Sequence, residues 1–295
     1  MHEIEQETPQ RTVLSNGLEF HHVEAGSGPP LVFLHGVLGD WRTWAPQWSA
    51  FTPQFRCIAY SRRYNWPNRN NQAQPDHSAL VEADDLLQLL DAWGIPSAVL
   101  VGSSYGAFTA LALAHRHPSR VRAMVLLEPP MLRWAERSEA GRMALATFER
   151  EVREPARQAF LSGDTERGAL LLTGGIVGAQ TMRQLPHAAI DRRLQNAASI
   201  RMLTLSSDEF PMITPDDIRA IRTPTLLLAG DQTPAIHEAV YNNLCRVMTQ
   251  AQTGRISRAG HGAARDNPAE FNQRSLAFLN QLGGLPVASV MHAGA

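Results

Sequence analysis

Short apolar runs alternate with helical patterns along most of the chain. Runs with the length and composition of buried strands occur at residues 31–34, 55–60, 98–101, 121–127 and 225–229. Between them, apolar residues recur at helical spacing, most clearly over 79–93 and 271–282. Strand patterns that alternate with helix patterns predict an α/β fold, in which helices cover a mostly parallel sheet.

Three further strands extend the predicted sheet to eight. Residues 11–15 and 18–23 flank Asn16-Gly17, a dipeptide that favours the tight turn of an antiparallel hairpin. A weaker strand pattern lies at 255–257. We therefore predict a mostly parallel sheet of eight strands.

The alternation stops in the middle of the chain, where residues 131–215 show helical patterns only, for example at 135–152 and 187–205. This block separates a core domain into 11–130 and 216–283, and residues 284–295 form a flexible tail in this prediction. Ligands of such sheets bind at the carboxyl ends of the strands. An insertion that leaves from that edge would cover the ligand site as a helical cap.

Composition excludes several classes of function. The chain has 295 residues, 44% of them hydrophobic, and a net charge of −1, which does not favour nucleic acid or an anionic membrane as a partner. Its two cysteines, Cys57 and Cys245, lack metal-site or redox spacing and are typical of a reducing compartment. The acidic start of the chain does not resemble a signal peptide, so we predict a cytoplasmic protein. The oligomeric state is left open.

The stretch from Gly102 to Gly106 carries the clearest chemical signal. It reads Gly-Ser-Ser-Tyr-Gly, between the apolar run at 98–101 and a helical pattern at 107–114. A strand that turns at once into a helix strains the residue at the turn, and glycines two positions before and after it allow close packing. This arrangement presents Ser104 as a nucleophile at the carboxyl edge of the sheet, above a helix N-terminus.

A serine hydroxyl is a poor nucleophile unless a base takes its proton during attack. His261 is the candidate base, because it lies between two glycines late in the chain and before a capped helix. The alternative is a turn residue without a chemical role. His35 is expected to brace the loop after the third strand.

The order of these motifs resembles the α/β-hydrolase fold superfamily over roughly residues 11–283. The resemblance rests on His35-Gly36 after the third strand, on Gly102 to Gly106, and on Gly260-His261-Gly262 near the end. Each motif alone is weak, but the three in this order are specific for the fold, though not for a substrate. The resemblance implies a serine hydrolase with a helical cap after the sixth strand. It also implies an oxyanion hole made by the backbone amides of Val37 and Tyr105.

The acid that orients the histidine is open between two positions. In the commonest pattern of the superfamily it follows the seventh strand just before a proline, where this chain has Thr233, with Asp231 two residues earlier. Glu128 instead ends the sixth strand before two prolines, and a carboxylate there is costly without a partner. Some haloalkane dehalogenases and the fungal lactonase acting on zearalenone are similar in this placement. We predict Glu128 and keep Asp231 as the alternative.

Large apolar side chains in segments expected to flank the pocket are the predicted substrate contacts: Trp41, Trp44, Met131, Trp134 and Phe210. Core packing explains each of them equally well. Arg62 and Arg63 would either meet a substrate carboxylate at the rim, pair with Asp84 or Asp85, or face solvent.

The sequence therefore predicts an enzyme that cleaves an ester or lactone of a small, apolar molecule through an acyl-enzyme on Ser104. No cofactor or metal is implied, because no ligand cluster has the required spacing. A C–C hydrolase of a β-diketone-like substrate would use the same residues. A lyase of the hydroxynitrile type or a ligand receptor would keep the fold. Epoxide or haloalkane opening is disfavoured, because the nucleophile position holds Ser and not Asp.

Overall fold

A computed structural model describes residues 3–72 and 76–283 of the chain. The predicted tail at 284–295 lies outside the described residues. The helices and strands correspond closely to the sequence patterns.

One eight-stranded sheet organises the molecule, with the strand order β1-β2-β4-β3-β5-β6-β7-β8. Its strands are β1 Gln10–Val13, β2 Glu19–Ala25, β3 Pro30–Leu34, β4 Arg56–Tyr60, β5 Ala98–Ser103, β6 Val121–Leu127, β7 Thr225–Gly230 and β8 Gln252–Ile256. The predicted hairpin pairs β1 with β2, and β2 pairs antiparallel with β4. The remaining neighbours are parallel, which confirms the predicted fold class.

Helices cover both faces of this sheet. The α-helices are α1 Ala45–Phe51, α2 Ala79–Ala92, α3 Tyr105–Arg116, α4 Glu139–Phe148, α5 Glu154–Leu161, α6 Thr165–Val177, α7 Ala179–Gln184, α8 His187–Gln195, α9 Ala197–Thr204, α10 Pro215–Ala220, α11 Ala235–Val247, α12 Ala263–Asp266 and α13 Pro268–Gln281. Short 3-10 helices occupy Ile4–Gln6, Trp41–Trp44, Pro118–Arg120 and Leu132–Arg137, and π-helical residues Glu149–Arg153 join α4 to α5. Across the described residues, no helix combines the length and the apolar character needed to span a bilayer.

The alternating side chains of the strands create two apolar layers. In β5, Val99 and Val101 belong to the layer with α1 and α13, whereas Ala98 and Leu100 belong to the layer with α2 and α3. Because both faces of β5 are buried, the run is continuously apolar. This rigid centre positions the turn that follows β5.

The segment between β6 and β7 consists of helices and their connections, and all of it is described. Two helix boundaries differ from the prediction. The helix predicted at 135–152 begins as α4 only after Ser138, whose hydroxyl accepts the Gly141 amide as an N-cap. The helix predicted at 187–205 is broken into α8 and α9 at Asn196.

Contacts of Asn196 with the core explain that break. Its side-chain oxygen accepts the Trp66 amide at 2.8 Å, and its nitrogen donates to the Asp40 carboxylate at 2.9 Å. The residue is fully buried. It thereby ties the α8–α9 junction to two loops that follow strands β3 and β4.

Candidate active site

Ser104 lies at the turn between β5 and α3 in a strained backbone conformation. Its φ and ψ angles are 51° and −122°, a region that residues other than glycine rarely adopt. A Cβ at Gly102 would lie 2.7 Å from the Ala107 nitrogen, and one at Gly106 would lie 2.1 Å from the Leu34 carbonyl oxygen. Both positions therefore require glycine, one against α3 and the other against the end of β3.

The side chains of Ser104 and His261 are in hydrogen-bond contact, although 157 residues separate them in sequence. The Ser104 Oγ lies 2.9 Å from Nε2 of His261, and Nδ1 of the same ring lies 2.6 Å from Oε2 of Glu128. A carboxylate only accepts, so Nδ1 carries the proton and donates to Glu128. Nε2 is then free to accept the serine proton.

Glu128 follows directly after β6 and is fully enclosed, with its side chain 0% exposed. Its Oε1 accepts the Gly230 amide at 2.8 Å, and its Oε2 accepts the Thr233 hydroxyl at 2.6 Å as well as the histidine proton. Its φ angle is 45°, the second strained non-glycine conformation in the site. These hydrogen bonds compensate the desolvation of the carboxylate and direct it toward the imidazole.

The structure does not bring Asp231 to the histidine. Asp231 is exposed, and its Oδ1 accepts the Ala259 amide at 3.1 Å. Hydrogen bonds from the Arg258 and Ala259 amides lower the pKa of this carboxyl below its ordinary value. Its contacts hold the turn before His261, and Thr233, at the position where the superfamily commonly has its acid, donates to Glu128.

The two predicted oxyanion amides lie on either side of the nucleophile. Tyr105 is the first residue of α3, and a Cβ on Gly36, just before Val37, would lie 3.1 Å from the Ser104 Cβ. No hydrogen bond from the amide of Val37 or Tyr105 occurs within the described residues. Both donors are therefore free for an oxygen of a bound substrate.

His35 braces the loop that carries Val37. Its Nε2 accepts the Arg62 amide at 3.0 Å, so Nδ1 carries the proton and donates to the Gly36 carbonyl at 2.8 Å. Complete burial and the Arg62 guanidinium lower the pKa of His35 to about 3. The ring is consequently neutral, and its role is structural.

His237 is a site neighbour that the sequence did not indicate. Its ring stacks on that of His261, with centroids 3.7 Å apart and planes inclined by 15°. Burial and the neighbouring His261 lower the pKa of His237 well below its ordinary value, so the ring stays neutral. Glu128, His237 and His261 are close enough together to be considered as metal ligands. However, in-plane lone pairs of two stacked rings do not converge on one ion, which argues against a metal site.

A cavity of about 420 Å³ opens above Ser104, between the strand ends and the helical segment that joins β6 to β7, which corresponds to the predicted cap. The core contributes Val37, Trp44 and His261 to its wall. Apolar wall residues of the cap are Ile176, Val177, Pro186, Ala188 and Ala189. Four arginines line it as well: Arg42, Arg192, Arg193 and Arg265. Of the predicted substrate contacts, only Trp44 lies in this wall.

The other four predicted contacts are not part of this wall and pack against other side chains. Trp41 is buried, and the centroid of its ring lies 6.4 Å from that of Trp66. Met131 and Trp134 are buried in the apolar layer on the α2 and α3 side. Phe210 packs against Tyr105, with centroids 6.4 Å apart. Their bulk joins the cap to the core and leaves the cavity wall to smaller residues.

Comparison with known proteins agrees with this geometry. The family model of the alpha/beta hydrolase fold matches residues 29–268. Carboxylesterase YbfK of Bacillus subtilis is 26% identical over 268 residues, which are 88% of this chain and 83% of that protein. Its crystal structure superimposes with a TM-score of 0.69 at 21% identity, over 93% of this chain and 92% of the other.

Two further relatives show the range of the family. Epoxide hydrolase 3 of Mus musculus is 25% identical over 92% of this chain and 77% of its own length. The structure of an N-acyl homoserine lactone degrading enzyme has a TM-score of 0.71 at 24% identity, over 91% of this chain and 100% of that chain. Because the family model matches most of its length, this chain belongs to the α/β-hydrolase fold family.

Proposed function

We propose that this α/β hydrolase is a serine hydrolase that cleaves a carboxylic ester or a lactone through an acyl-enzyme on Ser104. One observation carries the proposal: a buried serine, histidine and glutamate form a continuous hydrogen-bonded series at the wall of a cavity. In this series Ser104 is the nucleophile, His261 the general base and Glu128 the orienting acid.

In the first half of the reaction, the Ser104 hydroxyl adds to the substrate carbonyl while Nε2 of His261 takes its proton. The amides of Val37 and Tyr105 donate to the resulting oxyanion. His261 then returns the proton to the leaving alcohol oxygen, and the carbonyl carbon stays bonded to Oγ as an ester. Glu128 holds the ring and stabilises the imidazolium that forms between these steps.

In the second half, His261 takes a proton from water as its oxygen adds to the acyl carbonyl. The bond from the carbonyl carbon to Oγ then breaks, and His261 returns the proton to Oγ, which releases the acid and free Ser104. This step requires an acyl group on the serine. Attack on an epoxide carbon would instead leave an ether on Ser104, which the same site does not hydrolyse. The serine therefore favours acyl transfer over epoxide opening, although epoxide hydrolases are among the relatives of this chain.

The cavity supports a small substrate with an apolar body. Its volume lies within the range of small-molecule sites, and apolar cap residues from α6 and α8 form much of its wall. Two similar proteins, a carboxylesterase and an N-acyl homoserine lactone degrading enzyme, support ester or lactone cleavage.

The proposal is tested by labelling and turnover together. A fluorophosphonate should modify the native enzyme on Ser104 and abolish its hydrolysis of 4-nitrophenyl butyrate. Ser104→Ala should be neither labelled nor active. Turnover that survives in Ser104→Ala would disprove the proposal, as would binding of the ester without turnover. Aldehyde release from a cyanohydrin would instead identify a lyase.

A further inference from the structure

One arginine in the cavity wall lacks a charged partner. Arg42 pairs with Asp40, Arg192 with Glu5 and Arg265 with Asp266, each at 2.7 Å. For Arg193 the described part of the chain offers no carboxylate within ion-pair distance. Its Nη1 donates to the Ala189 carbonyl of its own helix, and its Nε is buried without a hydrogen-bond partner.

Arg193 is also largely removed from water. It lies in the last turn of α8 and is only 9% exposed. Burial, together with the nearby Arg265 guanidinium, lowers the pKa of Arg193 to about 10, so it remains charged at neutral pH. A desolvated cation without an anion is unfavourable. A ligand that supplies the anion would remove this cost.

The position of this charge connects it to the reacting groups. Arg193, Ser104 and His261 line the same cavity. Arg265, which lies close enough to Arg193 to lower its pKa, packs against Gly262 beside His261. The Nη2 atom of Arg265 lies 2.5 Å from the position that a Cβ on Gly262 would take. Asp40 is the single carboxylate in the wall against four arginines, and it is paired with Arg42. Because Glu5 and Asp266 also neutralise Arg192 and Arg265, Arg193 is the one charge in this wall without an ion-pair partner among the described residues.

We propose that the substrate is an ester or lactone that also bears a free carboxylate, and that Arg193 binds this carboxylate. The inference rests on the proposed function, because it names the substrate class of that same site. A planar guanidinium can bind a carboxylate through paired N–H donors, and its single positive charge matches the single charge of a carboxylate. The apolar residues of α6 and α8 would contact the carbon chain between the carboxylate and the scissile carbonyl. Arg62 and Arg63 do not serve this role, since they pair with Glu82 and Asp85 away from the cavity.

The test compares hydrolysis of charged and neutral substrates of equal length. Mono-4-nitrophenyl esters of adipic, suberic and sebacic acid are compared with the same compounds methylated on the free carboxylate. For the acid that fits best, we expect kcat/KM of the native enzyme to exceed that of its methyl ester by about tenfold to a hundredfold, the effect of a hydrogen bond to a charged group. Arg193→Gln should bring this ratio close to one, and Arg193→Lys should restore part of it.

Arg183→Gln is the matched control, because it removes the same charge from an exposed residue of the neighbouring helix α7. It should keep the native ratio. A purely structural role of Arg193 would lower hydrolysis of both esters together and leave the ratio unchanged, which would overturn the inference. The melting temperature of Arg193→Gln without ligand should equal or exceed that of the native enzyme, because a buried unpaired charge is removed.

A binding measurement separates this inference from the proposed function. Suberate, which has no ester bond, should bind the native enzyme in calorimetry and bind Arg193→Gln at least tenfold more weakly. If neither ester is hydrolysed but suberate binds through Arg193, the proposed function is wrong and the carboxylate site stands. If esters are hydrolysed without charge preference and suberate does not bind, the carboxylate inference is wrong and the proposed function stands.

Discussion

Strained backbone conformations occur at two of the residues that form the site. Ser104 and Glu128 are two of the three non-glycine residues with positive φ among those described. Each such conformation costs of order 1–3 kcal/mol and persists only where the surrounding structure enforces it. At both positions the turn directs a side chain out of the end of a parallel strand and toward His261.

Substitutions of Ser104 should reveal this strain. Ser104→Gly and Ser104→Ala both remove the hydroxyl, but only glycine adopts φ 51° without steric cost. We expect Ser104→Gly to be more stable than Ser104→Ala by about 1 kcal/mol in urea unfolding. Equal stability, or a more stable alanine variant, would show that the turn is not strained.

The choice between the two candidate acids leads to a second prediction. Glu128→Gln keeps the shape of the side chain but replaces the carboxylate that accepts the proton of His261 Nδ1. We expect kcat to fall by about 10⁴-fold with the fold intact, because the favourable tautomer is lost. Asp231→Asn is the control and should reduce kcat less than about tenfold, since Asp231 contacts a backbone amide and not the imidazole. The reverse ranking in steady-state kinetics would identify Asp231 as the acid.

At the scale of elements, the site depends on how helix α8 is held over the strand ends. The junction after α8 is fixed by Asn196, which bonds to Trp66 and Asp40 in loops of the core. These loops lie on the same side of the sheet as the cavity. The buried amide of Asn196 therefore helps to hold α8, and with it the wall residues Ala189 and Arg193, together with the Arg42–Gln195 hydrogen bond.

Asn196→Ala should loosen this element. It leaves the Trp66 amide without its partner and removes one of the two donors to Asp40 Oδ2, which keeps Arg42, so we expect the free energy of unfolding to fall by about 2–3 kcal/mol. KM should rise more than kcat falls, because the cavity wall shifts while the catalytic residues stay on the core. Asp191→Ala, at an exposed position of the same helix α8, should change stability by less than about 0.5 kcal/mol. Urea unfolding and ester kinetics on both variants check this, and equal effects would contradict it.

The helices and strands, and the side chains that meet at the candidate site, were predictable from the sequence because their signals are local. A run such as residues 98–101 is apolar because both faces of β5 are buried, and Gly102 is required by the contact of the turn with α3. Gly106 completes the same short motif, although its own contact is with the end of β3. Glu128 was recognisable because a carboxylate at the end of an apolar strand needs partners. Each of these signals lies within a few residues of the position it predicts.

The cavity wall was not predictable in this way. The break at Asn196 depends on Trp66 and Asp40, which precede it by 130 and 156 residues. An aromatic such as Trp134 suits a core and a pocket equally, so its sequence position did not distinguish them. Nothing in the sequence distinguishes Arg193 from its neighbour Arg192, and only the lack of an ion-pair partner among the described residues sets it apart.

At the scale of the whole molecule, buried charge links stability to pH. Glu82 belongs to helix α2 and is fully buried, where its carboxylate contacts Arg62 and His77 beside helix α3. Burial alone would raise the pKa of Glu82, but the Arg62 guanidinium and the His77 hydrogen bond lower it from 4.5 to about 2. A lowered carboxyl pKa stabilises the fold above pH 4.5, and this contribution is lost as the pH falls toward 2.

We therefore expect the contribution of Glu82 to the free energy of unfolding to fall by about 3 kcal/mol as the pH is lowered from 4.5 to about 2. Glu82→Gln should be less stable than the native protein at pH 7, since Arg62 loses its partner, and should show a smaller loss on acidification. Glu136→Gln, at an exposed position of the cap, should retain the native pH dependence. Urea unfolding at a series of pH values measures all three proteins, and parallel curves would contradict the assignment.

The most direct test of the account is to trap the intermediate. The enzyme is mixed with excess 4-nitrophenyl octanoate, quenched in acid within the first turnovers, digested and analysed by mass spectrometry. The account predicts an octanoyl group on Ser104, and neither this adduct nor hydrolysis in Ser104→Ala. An octanoyl group on another side chain, or undiminished hydrolysis by Ser104→Ala, would contradict it.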